Sequence, residues 1–254
     1  MIEKYCAGCN NKKMLQNSHI IPEFFYRYVY TKDHKFILIS SDNEDKLKIS
    51  QKGFREKLLC KDCENYLAKF EKITAEFFNE IVYQKYNKLK AEKIEADILK
   101  IEKYNYLAIK KCLLSILWRA SISTLKEFSD YDLGKENNEK IKKLIFSNED
   151  ISWKCFPILI TKVIFGNKFC SDVLFPHKKG QYKNILLYSM TLAGFNIDYF
   201  ITENFDNANC EYIFNDRFCN IKDIHIEDLK LEPDLINRLG DKDVDTFYQK
   251  HEYT

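Results

Sequence analysis

The sequence is poor in chain breakers, with 7 glycines and 4 prolines in 254 residues. A chain so short of both is no collagen-like or loop-rich scaffold, and 45% hydrophobic residues argue against disorder. No run of about 18 apolar residues is present, so no membrane-spanning helix and no membrane partner are expected. The N-terminus, MIEKYCAGC, has no apolar stretch behind its lysine, as a secretory signal would require. Strong net charge is missing too, the formal balance being +2. That value hides a slope: residues 1–63 carry 12 basic and 8 acidic side chains, 64–199 carry 22 and 17, and 200–254 carry 6 and 13. The basic surplus is too small to be a nucleic-acid footprint by itself, and the acidic end is a poor surface for DNA. Nothing matches a phosphate-binding glycine loop, a GxSxG elbow or a Cys–His nucleophile pair.

What is present is a core-forming composition, with 16 Tyr and 19 Phe, in a chain long enough for one or two domains. There are 9 cysteines. The odd count and the missing export signal point to the reducing cytoplasm, where paired cysteines read as metal ligands before disulfides. Cys112, Cys155, Cys170, Cys210 and Cys219 are scattered among apolar neighbours and read as buried, inert thiols.

The other four come as two pairs, Cys6-Ala-Gly-Cys9 and Cys60-Lys-Asp-Cys63. Two intervening residues let a tight turn aim both sulfurs at one ion, and two such turns complete the closed tetrahedral Cys₄ site of structural zinc. A redox disulfide would need one pair, not two. Gly8 is expected to permit the sharp first turn. The second pair opens a helix, because CENYLAKFEKI runs into apolar positions at three- and four-residue steps: Leu67, Phe70, Phe77, Phe78, Ile81. A knuckle followed by a knuckle at a helix start is a treble-clef arrangement.

Further helices are expected over about 103–127 and 135–147. Beyond them, 153–165, 184–202 and 210–215 are rich in β-branched and aromatic residues. Turn signals at Gly166-Asn167, Gly180 and Asp206-Asn207 separate them as antiparallel strands. The last forty residues read as a short helix and a polar terminus. The expected fold is α+β: a treble-clef zinc module over 1–75, then a unit over 76–254 of helices and a small antiparallel sheet.

Between the cysteine pairs stands Ser18-His19-Ile20-Ile21-Pro22. The order CxxC, then SHIIPEFF, then LLCKDCEN resembles the zinc-containing HNH endonucleases of the ββα-metal fold, over about residues 5–72. The resemblance implies a nuclease acting on DNA. His19 is then the general base that activates water, and Glu64 and Asn65 in the first helical turn hold a catalytic Mg²⁺ or Mn²⁺. Arg55 and Lys57 would contact phosphates. Gln51 would stand in for the middle residue that orients the histidine, with Asn43 less well placed. The position before the histidine, often a metal ligand in the family, holds Ser18. A small stand-alone nuclease of this kind suits a bacterial or phage defence system.

The alternative is a catalytically inactive treble-clef module that binds nucleic acid or a protein. The second unit is a place for a protein partner or a homo-oligomer contact. Read without the resemblance, His19 is a packed histidine, Glu64 a first-turn carboxylate favoured by the helix dipole, and Asn65 an ordinary helix-start residue. Glu71 reads as surface, and so do His34, His177, His225 and His251. Arg119, beside Trp118 on an apolar helix, reads as a buried ion-pair or stacking residue.

Overall fold

The computed structural model describes residues 3–38, 48–205 and 212–229. Asn43, Cys210, His251, the Asp206-Asn207 turn and the end of the chain lie outside these residues.

The N-terminal part begins with a two-strand knuckle, β1 (Lys4–Tyr5) and β2 (Lys12–Lys13), then β3 (Leu15–His19) and the single-turn α1 (Glu23–Tyr26). A hairpin follows, β4 (Phe36–Leu38) with β5 (Lys48–Ser50), and then β6 (Arg55–Cys60) runs without a break into α2 (Lys61–Val82). Strands β3 and β6 are antiparallel, with Ser18 opposite Glu56 and His19 opposite Arg55. Gly53, just before β6, is required by space. A Cβ there would lie 2.4 Å from the Tyr26 ring, whose hydroxyl accepts a hydrogen bond from the Phe54 N–H at 3.0 Å.

The periodicity of α2 is visible in its burial: Leu67, Phe77, Phe78 and Ile81 are all below 5% exposed. The helix continues seven residues past position 75. Residues 85–105, which carry no clear helical period, form a hairpin of β7 (Lys90–Glu95) and β8 (Ile98–Glu102). Asn105 then caps α3 (Tyr106–Ile122), its side chain accepting from the Ala108 N–H at 3.0 Å, worth about 1 kcal/mol. Helix α3 is buried on all sides from Ala108 to Ala120, so its apolar residues are spread around the helix and Lys110, Lys111 and Arg119 are buried with them. Helix α4 (Gly134–Phe146) packs beside it with Ile141 and Ile145 inward.

The remaining strands are β9 (Ile158–Phe165), β10 (Lys168–Phe169), β11 (Phe175–Tyr182), β12 (Ile185–Leu192), β13 (Phe195–Phe200) and β14 (Cys219–His225). They do not form the small antiparallel sheet expected. Among the described residues they join β7 and β8 in one eight-stranded sheet, ordered β11-β12-β13-β9-β14-β8-β7 with β10 beside β9. The sheet is mixed, since β14 lies parallel to β9. The stretch 184–202 is two strands that turn at Ala193-Gly194, and Gly180, expected in a turn, lies inside β11. Within the last forty residues Cys219–His225 form β14, and most of the stretch expected to hold a short helix lies outside the described residues.

Helix α2 meets this sheet through Phe78 on Phe195 (4.8 Å between ring centres) and Phe77 toward Phe214 (6.5 Å). One hydrophobic cluster therefore runs from Cys6 to Ile221. The fold is α+β, with few helices and several sheets. Among the described residues no helix is long and apolar enough to cross a membrane.

Candidate functional site: the β3–β6 hairpin and its two ends

One end of the antiparallel β3–β6 strand pair carries the cysteines. The Sγ atoms of Cys6, Cys9, Cys60 and Cys63 lie within 4.8 Å of one another, Cys6 to Cys63 at 3.7 Å and Cys9 to Cys60 at 3.9 Å. Zinc–sulfur bonds of about 2.3 Å at tetrahedral angles place sulfurs roughly 3.8 Å apart. The spacing fits that geometry and is far from the ~2.05 Å of a disulfide. The Cys60 N–H donates to Cys6 Sγ at 3.2 Å, a bond that stabilises a thiolate. Burial opposes ionisation of Cys60, but the Cys63 N–H and neighbouring thiols outweigh it and draw the group down to about 7. Cys63 is pushed up by burial and by the Cys6 and Cys60 sulfurs. Four close thiolates repel one another unless a cation sits among them. These four cysteines can hold a zinc ion.

The first knuckle is tight for a reason other than the one expected. The residue in the left-handed region is Asn10 (φ 57°), not Gly8. Glycine is needed at position 8 for space, because a Cβ there would lie 2.9 Å from Cys63 Sγ and 3.0 Å from the Phe146 ring.

The other end of the hairpin carries His19. The register over 17–19 and 55–57 puts Asn17, His19, Arg55 and Lys57 on one face and Ser18 and Glu56 on the other. The structure thus gathers the expected base and both expected phosphate contacts on one strand face. Lys57 is exposed and Arg55 half-buried. Behind them Ser18 is 1% exposed, and its Oγ accepts from the Leu59 N–H at 3.1 Å. Its hydroxyl is a structural acceptor turned inward. Glu56 binds the end of α3, accepting from Ser123 Oγ at 2.7 Å and from the Thr124 N–H at 2.8 Å.

The His19 ring meets a carboxylate the sequence did not flag. Glu23 Oε2 lies 2.7 Å from His19 Nε2 and 3.3 Å from Arg55 Nη2. Its other oxygen accepts from the Tyr30 hydroxyl at 3.0 Å and is 3.9 Å from His34 Nε2. His34 is exposed, as expected, but is stacked on Tyr30 with ring centres 3.9 Å apart. Burial and the Arg55 guanidinium hold His19 below the ordinary imidazole range, with Glu23 pulling the other way. That direction favours the neutral ring that a base requires.

Backbone support comes from α3. Arg119, 1% exposed, donates from Nη1 to the His19 carbonyl at 2.7 Å and from Nη2 to Glu71 Oε1 at 3.0 Å. The ion-pair reading of Arg119 is met. The surface reading of Glu71 is corrected, because that carboxylate is half-buried against Arg119.

Of the remaining expected residues, Glu64 is half-buried with Oε1 out of water and without a partner among the described residues, while Asn65 is exposed. Gln51 lies on an exposed bend. Among the described residues, the four cysteines are the one set of three or more metal-ligating side chains close enough to share an ion. The Glu23 link was hidden because a His-x₃-Glu spacing across an Ile-Ile-Pro corner has no motif of its own. The link from Arg119 to the His19 carbonyl was hidden by the hundred residues between them. Comparison with protein-family models, curated proteins and solved structures gives no match for this chain.

Proposed function

We propose that this chain is an HNH-type nuclease that hydrolyses phosphodiester bonds in DNA, built on a treble-clef module held by a structural zinc ion at Cys6, Cys9, Cys60 and Cys63. The observation that carries the reading is the antiparallel β3–β6 pair running directly into α2, with a four-thiol cluster at one end and a half-buried His19 registered against Arg55 at the other. In this reading His19 takes a proton from the attacking water, and Arg55 and Lys57 bind flanking phosphates. A bound Mg²⁺ or Mn²⁺ would supply positive charge for the leaving oxygen. The resemblance assigns that ion to Glu64 and Asn65 at the start of α2, where Glu64 Oε1 is out of water with no partner among the described residues.

The test is incubation of plasmid DNA with the purified protein and Mg²⁺ or Mn²⁺. Nicking is expected, falling roughly 10²–10⁴-fold in His19→Ala, the usual loss for a missing general base. No nicking by wild type, or equal nicking by both proteins, refutes the proposal.

One observation favours a second reading, a binding module without catalysis. Ser18 offers no ligand to a metal, its hydroxyl being committed to Leu59. That reading predicts retention of DNA in a gel-shift assay, lost on Arg55→Ala, with no cleavage under any divalent ion.

A further inference from the structure

Glu23 stands at the centre of the His19 end of the hairpin, yet neither the zinc cluster nor the phosphate contacts account for it. It is the first residue of α1, directly after the Ile20-Ile21-Pro22 corner. Both isoleucines are fully buried, which fixes the path of the chain between His19 and Glu23. The carboxylate is held from three sides: Arg55 from β6 at 3.3 Å, the Tyr30 hydroxyl at 3.0 Å, and His19 Nε2 at 2.7 Å. Arg119 fixes the His19 backbone separately through its carbonyl. Backbone and ring are thus restrained by different elements.

We propose that Glu23 is the positioning residue of His19: it holds the Nε2–H side of the ring, fixes that tautomer, and leaves Nδ1 as the free basic nitrogen. The contact is short but lies off the line of an ideal N–H···O bond. Catalytic hydrogen bonds in unliganded sites are commonly misaligned and straighten when substrate binds. In the reaction, water gives its proton to Nδ1 as its oxygen forms the bond to phosphorus and the bond to the leaving oxygen breaks. The positive charge that appears on the ring is offset by Glu23 across Nε2, as an acidic partner does for a base in hydrolases. The charged groups facing the ring are Glu23 of α1, Arg55 of β6 and Arg119 of α3, with His34 reaching the far oxygen of Glu23. Both guanidinium groups lower the proton affinity of His19, and Glu23 is the one group raising it. Its removal must therefore move the titration of His19 to lower pH.

The catalytic part of this inference rests on the nuclease reading; the tautomer part does not, and the experiment separates them. The histidine tautomer and pKa are read by ¹⁵N-edited NMR in the full-length zinc-loaded protein, for wild type and Glu23→Gln. Zinc content and circular dichroism confirm that both are folded. Wild type is expected to show His19 protonated at Nε2 when neutral. Glu23→Gln should shift the ring toward mixed tautomers with a lower pKa. In the plasmid assay the same variant should lose roughly ten- to hundredfold in rate, with the acid limb of its pH profile moved to lower pH, whereas Glu23→Asp recovers part of the rate. A neutral His19 protonated at Nδ1 in wild type, or an unchanged tautomer and pKa in Glu23→Gln, overturns the inference. A shifted tautomer in a protein that cleaves nothing upholds Glu23 as the orienting partner and refutes the nuclease reading alone.

Discussion

Arg119 makes four hydrogen bonds from a position that is almost wholly out of water: to Ser115 O, Ser115 Oγ, the His19 carbonyl and Glu71. A planar five-donor fork satisfies such divergent acceptors, whereas a lysine can reach only part of them. Truncation leaves the Glu71 carboxylate half-buried and unpaired and the His19 carbonyl without its donor. Arg119→Met should cost about 3 kcal/mol in urea denaturation, and Arg119→Lys should restore less than half of that. Adding Glu71→Gln to Arg119→Met should recover about 1 kcal/mol, since the orphaned charge is then gone.

Lys110, also on α3, gives a pH-dependent case. It is fully buried, its Nζ donating to the Phe156 carbonyl, and burial pushes its ammonium from 10.5 down to about 7. Between those values the unfolded chain carries a proton that the folded chain lacks, so this residue's contribution to stability rises with pH across the window. Below pH 7 both states are charged and the full burial cost applies. Lys110→Met should therefore be more stable than wild type at pH 6. The advantage should shrink as the pH climbs toward 10, by about 1.4 kcal/mol for each step of one in pH. A difference in denaturation midpoint that is flat from pH 6 to 10 would rule this out. The sequence shows such residues only as breaks in an apolar run. Lys110 and Lys111 sit in the middle of the buried helix, and nothing local says that carbonyls of residues 156 and 147 await them.

At the scale of elements, legibility follows the range of the interaction. The helix over 61–82 could be read because its buried positions repeat within the element itself, and the cysteine cluster because a two-residue gap fixes local geometry. The β7–β8 hairpin was not read, because β7 is exposed along most of its length and shows no apolar alternation. The parallel pairing of β9 with β14 spans some sixty residues and leaves no periodic mark on either strand. The prediction at this scale concerns the knuckles, whose strands β1 and β2 are two residues each and cannot hold themselves together. Purified protein should contain one zinc ion per chain by elemental analysis. Cobalt substitution should give the intense visible bands of tetrahedral thiolate ligation. Cys60→Ser or a strong chelator should remove the ion and expose β3 and β6 to hydrogen exchange while β12 and β13 stay protected. Full metal content in Cys60→Ser would show that these four sulfurs are not the site.

For the whole molecule, the question is whether the N-terminal part that carries the four cysteines can stand without the sheet. Its buried contacts say that it cannot. Phe77 and Phe78, at 3% and 0% exposure, pack on each other and Phe78 on Phe25 at 5.2 Å, but the rest of their ring contacts, to Tyr104, Phe195 and Phe214, come from outside the first 82 residues. Glu71 has its charge partner in Arg119, and Glu56 has its donors in Ser123 and Thr124. Cutting after Val82 uncovers the sheet-facing sides of the two phenylalanines, at up to about 1.5–3 kcal/mol each, and strands two carboxylates that were paired. A fragment of that size has little core to spare. Residues 1–82 with zinc should therefore bind the metal through the four thiols yet show no cooperative thermal transition, while the full chain melts in one. The cobalt spectrum and differential scanning calorimetry of the same fragment check the two halves of this expectation. A sharp calorimetric peak from the fragment would mean that the metal alone organises the hairpin. The contacts of α3 with His19, Glu56 and Glu71 would then be additions to a finished module. Without such a peak, the His19 end of the hairpin is built jointly by the zinc cluster and by α3, and no nuclease activity should survive in the fragment.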